Sequence, residues 1–409
     1  YGLDLTATVA GTVSDTAHES FGIRDVRAPI DADGARQYRI NGRRLLIKGG
    51  GWSPDEFLRW NRTYVEDRLK YALDLGLNTI RLEGHLEPDE FFDLADRYGV
   101  LTLPGWECCD KWRATSTGAR PATSGPPPTT RSPSVDGRRG RPAARPPQRD
   151  LLPGRQRLRA RRRHREELPR RTRCRRLARP RLSSASDSSS PQLGGSGMKM
   201  TGPYDWVPPG YWYAKREGGA TGFNSETSAG PDIPTLDTLR RMMTPAELDT
   251  LWRDPGARQY HRSPSPVFGT LKIYDQALAG RYGAPTGLTD YVRKAQLAQY
   301  ENVRAQFEAY GRNATDADKP ATGVVYWMFN SGWTSLHWQL TDRYLDQGGA
   351  YFGAKKANEP LHVQYSYDDR SVVVVANRKD PASHLTARAT LFDTDGTQRY
   401  DRTVRDVAR

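Results

Sequence analysis

The chain has few cysteines and no long apolar run, and both absences exclude whole classes of protein. Three cysteines occur among 409 residues; Cys108 and Cys109 are adjacent and Cys174 stands apart. This number and spacing give neither a disulfide framework nor a metal-ligand motif, so we expect no metal and no cofactor. A transmembrane helix needs about 18 or more consecutive apolar residues. Because no such run occurs, we expect no membrane partner.

Residues 113–181 lack most of the residue types that build a folded core. This block has no Lys, Ile, Met, Asn or aromatic residue, yet it contains 22 Arg and 11 Pro against four acidic residues. The whole chain has a net charge of +14, and the block contributes +18, so the remaining residues sum to −4. A strongly basic chain ordinarily suggests a nucleic acid or another polyanion as partner. Because the positive charge is confined to one block, we expect no nucleic-acid partner.

Short β patterns open the chain. Residues 3–10 alternate in polarity with period two, which predicts a strand. The runs 37–40 and 43–48 flank Asn41-Gly42, a strong hairpin signal. We interpret residues 1–42 as the end of an immunoglobulin-like β-sandwich.

Helical and strand patterns alternate through the middle of the chain. The helical patterns cover 63–75, 88–98 and 289–310, and the strand patterns cover 78–83, 100–104 and 323–329. Parallel βα units in a single sheet of this length favour a (β/α)8 barrel. We therefore predict an α/β protein in which residues 43–345 form a (β/α)8 TIM barrel. Residues 346–409 return to period two and are interpreted as the start of a C-terminal β-sandwich.

Carboxylates and tryptophans follow several predicted strands, and catalytic groups of a barrel lie at this end of its strands. The candidates are Asp55, Glu83, Glu107, Glu226 and Trp333. Carboxylates perform acid–base or nucleophilic chemistry on glycosidic bonds, and Trp stacks on the apolar face of a sugar ring. The pattern therefore predicts a sugar pocket.

Structural interpretations stay open beside the functional ones. Glu83 is also placed to form an ion pair with Arg81, and Glu226 to begin a helix. Trp327 lies within the last predicted strand and is expected in the core. Trp333 lies just beyond that strand and is expected to contact substrate.

Several long segments resemble glycoside hydrolase family 2, and within it the exo-beta-D-glucosaminidase branch. The most specific are INGRRLLIKGGGWSPDEFLRW (40–60), LGLNTIRLEGHLEPDEFFDLADRYGVL (75–101), FNSETSAGPDIPTLDTLRRMM (223–243) and YWMFNSGWTSLHWQLTD (326–342). The resemblance covers nearly the whole chain except residues 113–181. It implies a retaining mechanism with Glu226 as the nucleophile, acting on chitosan oligomers from the non-reducing end.

The resemblance also implies substrate contacts. Tyr204 and Asp205 belong to a further matching segment, SGMKMTGPYDWVPPGYWY (196–213). The protonated amino group of a glucosamine needs a nearby carboxylate, because an isolated buried cation is costly. Glu83 is the first candidate for that carboxylate and Asp55 the second, and Glu107 is a third rim carboxylate expected to bind substrate. A polymeric substrate implies that the parent enzyme is extracellular, and the chain, which opens within a strand pattern at Tyr1 without a recognisable signal peptide, is expected to be a fragment.

The general acid that the resemblance implies is missing. Its expected position falls near Arg157-Leu158, where no side chain donates a proton near neutral pH, because arginine stays charged. Residues 113–181 have three interpretations: a polyanion-binding insertion, a disordered linker, or DNA read in the wrong frame. The third is favoured, because out-of-frame GC-rich codons give this composition and the block replaces the expected segment at similar length.

These considerations predict a fragment of an exo-beta-D-glucosaminidase that is inactive as written. Two other functions stay open. One is a beta-mannosidase-like glycosidase of the same family, and the other is a non-catalytic carbohydrate- or polyanion-binding protein.

Overall fold

A five-stranded parallel β-sheet forms the centre of the protein in the computed structural model. The structure describes residues 1–105, 195–263, 265–377 and 384–405, with the backbone of 152–154 and 182–184. The strands in chain order are β1 (Gly2–Val9), β2 (Thr12–Ser20), β3 (Val26–Arg27), β4 (Tyr38–Ile40), β5 (Arg43–Leu45), β6 (Ile47–Trp52), β7 (Thr79–Leu82), β8 (Leu101–Pro104), β9 (Leu152–Gly154), β10 (Leu182–Ser184), β11 (Gly222–Thr227), β12 (Ala321–Tyr326), β13 (Leu361–Tyr365), β14 (Val372–Ala376), β15 (Thr386–Phe392) and β16 (Gln398–Arg405).

Helices separate the strands of this sheet. The α-helices of the described residues are α1 (Arg62–Asp74), α2 (Asp89–Tyr98), α3 (Leu236–Met242), α4 (Pro245–Arg253), α5 (Lys272–Tyr282), α6 (Leu288–Asn313) and α7 (Gly349–Ala357). None of these helices combines the length and the apolar character needed to cross a bilayer.

The strand order of the central sheet is β11-β12-β6-β7-β8, with every neighbouring pair parallel. The last strand of the sheet in chain order therefore lies beside the first, with Val325 opposite Gly49. A closed barrel requires this pairing. On the other side of β11, Lys199 forms a parallel bridge with Asn224, and most of the chain between β8 and Lys199 lies outside the described residues. The described residues therefore establish an α/β fold with a parallel sheet, and the barrel stays a prediction.

The predicted βα units are present with small shifts at their ends. The helix predicted over 63–75 is α1, which begins after Asn61, whose side chain accepts a hydrogen bond from the Tyr64 backbone N–H. The helix predicted over 88–98 is α2, which ends at Gly99 in the left-handed conformation, with φ +73°. The long helix predicted over 289–310 is α6. Each of these predictions is confirmed.

Glycines in β6 let the neighbouring strand and its following loop pack closely. A Cβ on Gly50 would lie 2.6 Å from the Cβ of Phe329, and one on Gly49 would lie 3.1 Å from the Thr79 carbonyl oxygen. The first distance is shorter than real Cβ contacts, so this strand admits no side chain at Gly50 without displacement of Phe329, and the second is tighter than most such contacts. The sequence Gly49-Gly50-Gly51 thus brings the ends of β6 and β12 together.

The hairpin predicted at Asn41-Gly42 is confirmed. Both residues have positive φ, +50° and +78°, and they join the antiparallel strands β4 and β5. The strand predicted over 3–10 is β1, which pairs with β2 in an antiparallel hairpin.

The boundary predicted at residue 346 is wrong, because helix α7 follows it and packs against α6. Two glycines permit this close packing: a Cβ on Gly349 would lie 1.9 Å from the Gln296 carbonyl oxygen, and one on Gly353 would lie 2.4 Å from that of Tyr300. The β-rich segment therefore begins at β13. It continues as two antiparallel hairpins, β13–β14 and β15–β16.

Candidate active site

Glu226 lies near the carboxyl end of β11, at the end of the parallel sheet that bears catalytic groups in related architectures. Its residue surface is 7% exposed. The Tyr204 hydroxyl donates to Oε1 of Glu226 at 2.7 Å, and Nη1 of Arg81 donates to Oε2 at 3.2 Å. A carboxylate is costly to bury unless it accepts hydrogen bonds, and here both oxygens of Glu226 do so. Glu226 is part of strand β11, so the helix-start interpretation is wrong.

Arg81 connects two of the predicted carboxylates. It belongs to β7 and is 2% exposed, and its Nη1 also donates to the Ser225 carbonyl oxygen at 2.6 Å. Its Nη2 lies 3.6 Å from Oε1 of Glu83. The ion pair between Glu83 and Arg81 that the sequence left open is therefore present. It is also not isolated, because the same guanidinium holds Glu226.

An aromatic wall stands beside Glu226. The Trp338 indole N–H donates to the Tyr204 carbonyl oxygen, and the two rings lie 5.7 Å apart. The Trp338 ring is also 5.3 Å from Phe268 and 6.4 Å from Trp327. Trp327 is half-buried and follows the last residue of β12, so its predicted place in the core is wrong. The strand predicted over 323–329 extended beyond the observed end of β12 at Tyr326, because the apolar sequence continues after the last hydrogen-bonded residue.

Asp55 lies in the loop after β6, where its carboxylate is already engaged. It accepts hydrogen bonds from the Arg59 guanidinium at 2.9 Å and from the Phe57 backbone N–H at 3.0 Å. The hydrogen bond from Arg59 is the largest of the effects that hold the pKa of Asp55 below its ordinary value. Arg343 approaches the same carboxylate at 3.7 Å. These contacts give Asp55 a role in fixing its own loop.

The loops after β6 and β12 are joined by hydrogen bonds between a side-chain amide and the backbone. The Asn330 side chain accepts from the Ser53 N–H at 2.9 Å and donates to the Ser53 carbonyl oxygen at 2.8 Å. Trp333 lies in this joined region and stacks on His261, with ring centroids 5.8 Å apart. Asp205 follows Tyr204 directly and accepts from the Trp206 backbone N–H at 2.8 Å.

A half-buried histidine, His337, packs against the aromatic wall. Burial lowers the pKa of His337 to about 3, and the positive charge of Arg262 acts in the same direction. Burial also lowers the pKa of Arg262, although the negative charge of Asp205 opposes this. The His337 ring stacks on Trp338 at 3.5 Å. The ring that packs against Trp338 is therefore a neutral imidazole.

Two predicted positions cannot be placed. Glu107 and the expected acid position near Arg157-Leu158 lie outside the described residues. Within the described part of the chain, no cluster of three or more His, Cys, Asp or Glu residues has the geometry of a metal site.

Sequence reasoning missed Arg81 as a partner of Glu226, and it missed Trp338 and Phe268 altogether. Arg81 and Glu226 are 145 residues apart in sequence. Trp338 lies in the family-like segment 326–342, but it has no regular strand or helix around it to indicate which way its ring points. The only available signal was the density of aromatic residues between 326 and 338.

Two curated relatives and one solved structure resemble this chain closely. Exo-beta-D-glucosaminidase from Streptomyces avermitilis is 73% identical over 405 residues, which cover 98% of this chain and 45% of that protein. The enzyme of the same name from Amycolatopsis orientalis is 55% identical over 98% of this chain and 39% of that protein. The crystal structure of an A. orientalis exo-chitosanase superposes with a TM-score of 0.90 at 52% identity, covering 100% of this chain and 48% of that chain.

No family model matches the chain. The chain spans less than half the length of these curated relatives. Over the part that it spans, both the sequence identity and the structural superposition extend across nearly the whole chain. The chain therefore belongs to glycoside hydrolase family 2, in its exo-beta-D-glucosaminidase branch.

Proposed function

We propose that the chain is part of a retaining exo-beta-D-glucosaminidase whose substrates are chitosan oligosaccharides, cut from the non-reducing end. The observation that carries this proposal is Glu226, a buried carboxylate that accepts a hydrogen bond on each oxygen. Hydrogen bonds from Tyr204 and Arg81 fix its orientation, as a nucleophile requires. The relatives' names and the exo-chitosanase fold support the substrate class.

In this mechanism an oxygen of Glu226 attacks the anomeric carbon while the bond to the leaving oxygen breaks. The product is a glycosyl-enzyme, in which the sugar is bonded covalently to Glu226. Water then attacks the same carbon and releases the sugar with its original configuration. A sugar leaving group needs a proton from a general acid, and the same group later removes a proton from the water.

The proposed fold is a (β/α)8 barrel, because β12 lies beside β6 as barrel closure requires. We place the amino group of the substrate near Glu83 first, since Arg81 brings Glu83 into the same cluster as Glu226. Asp55 is the second candidate, although Arg59 already neutralises it. Glu107, Tyr204, Asp205 and Trp333 complete the proposed contacts, and the parent enzyme is proposed to be extracellular.

We also propose that the chain as written does not hydrolyse chitosan oligomers. Residues 113–181 contain the expected position of the acid and have no residue there that replaces it. The alignment to the S. avermitilis relative runs over 405 residues and covers 98% of this chain, which supports replacement of a segment of similar length by a frame-shifted one.

An activated substrate tests the nucleophile separately from the missing acid. 2,4-Dinitrophenyl beta-D-glucosaminide releases a stable phenolate that needs no protonation, so Glu226 suffices for the first step. We expect a burst of dinitrophenolate, a slow steady rate, and a glucosaminyl adduct on the peptide containing Glu226 by mass spectrometry. Added azide, which needs no base, should speed turnover and give the beta-glucosaminyl azide.

The controls separate the parts of this proposal. Glu226→Gln should abolish both burst and adduct. Absence of a burst in the unaltered chain argues against Glu226 as the nucleophile. Hydrolysis of unactivated glucosamine oligomers argues against the proposal that the general acid is absent. Preference for 2,4-dinitrophenyl beta-mannoside would favour the mannosidase-like alternative. Salt-sensitive heparin binding that disappears on deletion of 113–181, with no burst, would favour a polyanion-binding protein.

A further inference from the structure

A cluster of three aromatic rings, of which Tyr260 is exposed, Trp333 half-buried and His261 buried, lies in two loops of the candidate active site. Tyr260 is 79% exposed, which is high for a tyrosine that also contacts other rings. Its ring lies edge-on, 5.1 Å from His261 and 6.1 Å from Trp333. His261 and Trp333 stack on one another at 5.8 Å with an interplanar angle of 28°. We call these three rings the aromatic platform.

Hydrogen bonds to the backbone of both loops hold the platform in place. Nδ1 of His261 lies 3.0 Å from the Thr334 carbonyl oxygen, and the Leu336 N–H donates to the His261 carbonyl oxygen at 2.7 Å. The Trp333 carbonyl oxygen accepts from the Ser331 hydroxyl at 2.8 Å. The first two bonds join the two loops that carry the rings, and the third lies within the loop of Trp333. The platform is therefore ordered before a ligand arrives, which lowers the entropic cost of binding.

The loop that carries Tyr260 also reaches the pocket of Glu226. The Gln259 N–H donates to the Gly269 carbonyl oxygen at 2.9 Å and so closes the loop between them. Phe268 lies at the far end of this loop, 6.5 Å from the Tyr204 ring and 5.3 Å from the Trp338 ring. One end of the loop thus forms part of the wall beside Glu226, and the other end presents Tyr260 to solvent.

We propose that Tyr260, His261 and Trp333 form a binding subsite for the sugar residues on the leaving-group side of the scissile bond. This inference rests on the proposed function, because it takes the pocket around Glu226 as the place of the terminal sugar. Glu226 is 7% exposed, whereas the Tyr260 ring of the platform is open to solvent at 79%. The apolar face of a pyranose covers an exposed ring of this kind and removes apolar surface from water.

The test is calorimetric binding of D-glucosamine and of the glucosamine trisaccharide to the full chain. We expect the trisaccharide to bind more tightly than the monosaccharide. Tyr260→Ala should weaken trisaccharide binding about fivefold to tenfold, the range of one aromatic contact, and leave monosaccharide binding unchanged. Tyr260→Trp should retain the affinity, because it keeps an exposed ring.

Tyr1→Ala is the matched control. Tyr1 is also 79% exposed, and its ring stacks on Phe21 at 5.5 Å in the hairpin region, so this substitution removes a similar contact elsewhere. Unchanged trisaccharide affinity in Tyr260→Ala overturns the subsite and leaves the proposed function standing. An equal loss for both sugars also overturns it. If neither sugar binds the unaltered chain, the proposed function and this inference fail together.

Discussion

The hydroxyl of Tyr204 lies 2.7 Å from Oε1 of Glu226, and the indole of Trp338 donates to the backbone carbonyl of the same tyrosine. Tyr204 thus receives a hydrogen bond from the aromatic wall and gives one to the candidate nucleophile. The wall that would bind a sugar ring and the carboxylate that would attack it are connected through one residue. This connection means that small changes at Tyr204 affect the nucleophile with little change in packing.

Tyr204→Phe removes the hydroxyl and keeps the ring beside Trp338 and Phe268. A hydrogen bond to a charged group contributes about 1.5–3 kcal/mol, so the burst rate with 2,4-dinitrophenyl beta-D-glucosaminide should fall about 10- to 100-fold. Stopped-flow absorbance of the phenolate measures this rate. Tyr400→Phe, in the exposed strand β16, is the control and should leave the rate unchanged. An unaltered rate in Tyr204→Phe would show that this hydrogen bond plays no part in the attack.

Arg81→Met leaves two buried carboxylates, Glu226 and Glu83, without their shared cation. Removing one partner of a buried ion pair costs about 3–5 kcal/mol, so the free energy of unfolding in urea should fall by this amount. Arg81→Lys keeps the charge with fewer donors in a different geometry and should cost less. Arg388→Met, which breaks the exposed pair with Asp401, should cause no measurable change. Equal stability of Arg81→Met and the unaltered chain would contradict a buried, paired Arg81.

Asp275 should make stability depend on pH. Burial raises the pKa of this carboxyl from 3.8 to about 7, while the hydrogen bond from Tyr291 and the charge of Arg262 oppose the rise. Between about pH 4 and pH 7 the unfolded chain has lost this proton and the folded chain has kept it. The folded state therefore binds more protons, and stability falls as pH rises through this window, by about 4 kcal/mol in all.

Asp275→Asn removes this titration and keeps an oxygen that can accept from the Tyr291 hydroxyl, 2.9 Å away. We expect the variant to be more stable than the unaltered chain near pH 8 and about equal near pH 4, by urea unfolding at both pH values. Asp249→Asn, on the exposed face of α4, controls for the loss of one charge. A stability difference that does not vary with pH would show that Asp275 ionises normally.

Gly353→Ala should disrupt the packing of α7 on α6. The added Cβ would lie 2.4 Å from the Tyr300 carbonyl oxygen, so the helices must separate, at a cost of about 1–3 kcal/mol. Gly280→Ala is the matched control, because a Cβ there has nothing within 4 Å. Gly280 lies in α5, so alanine should stabilise it by about 0.5–1 kcal/mol. Thermal unfolding midpoints that move in the same direction in both variants would contradict the close helix contact.

The local elements could be predicted because their signals are local. The helix α1 has a capping asparagine before it, and α2 has a glycine after it. The hairpin at Asn41-Gly42 follows from two residues that tolerate positive φ. In contrast, α7 was assigned to a β-rich segment, because the role of Gly349 and Gly353 in close packing appears only once α6 lies against them.

The candidate site was predicted in its residue types and only partly in its contacts. Glu226 was found from the segment that carries it, and Glu83 was correctly paired with Arg81 as one of two alternatives. The link from Arg81 to Glu226 joins β7 to β11, and no periodicity in the sequence relates these strands. Trp327 was placed in the core because an apolar run does not indicate where the hydrogen-bonded ladder of a strand ends.

The sequence by itself determined the alternation of strands and helices, the family, the identity of Glu226, and the anomalous composition of residues 113–181. These depend on residue types at neighbouring positions, where propensity and periodicity act. Only the tertiary structure decided that β12 lies beside β6, that Arg81 serves Glu226 and Glu83 together, and that Tyr260 stands open beside Trp333. These contacts join residues far apart in the chain, and close packing selects them only after the sheet has formed.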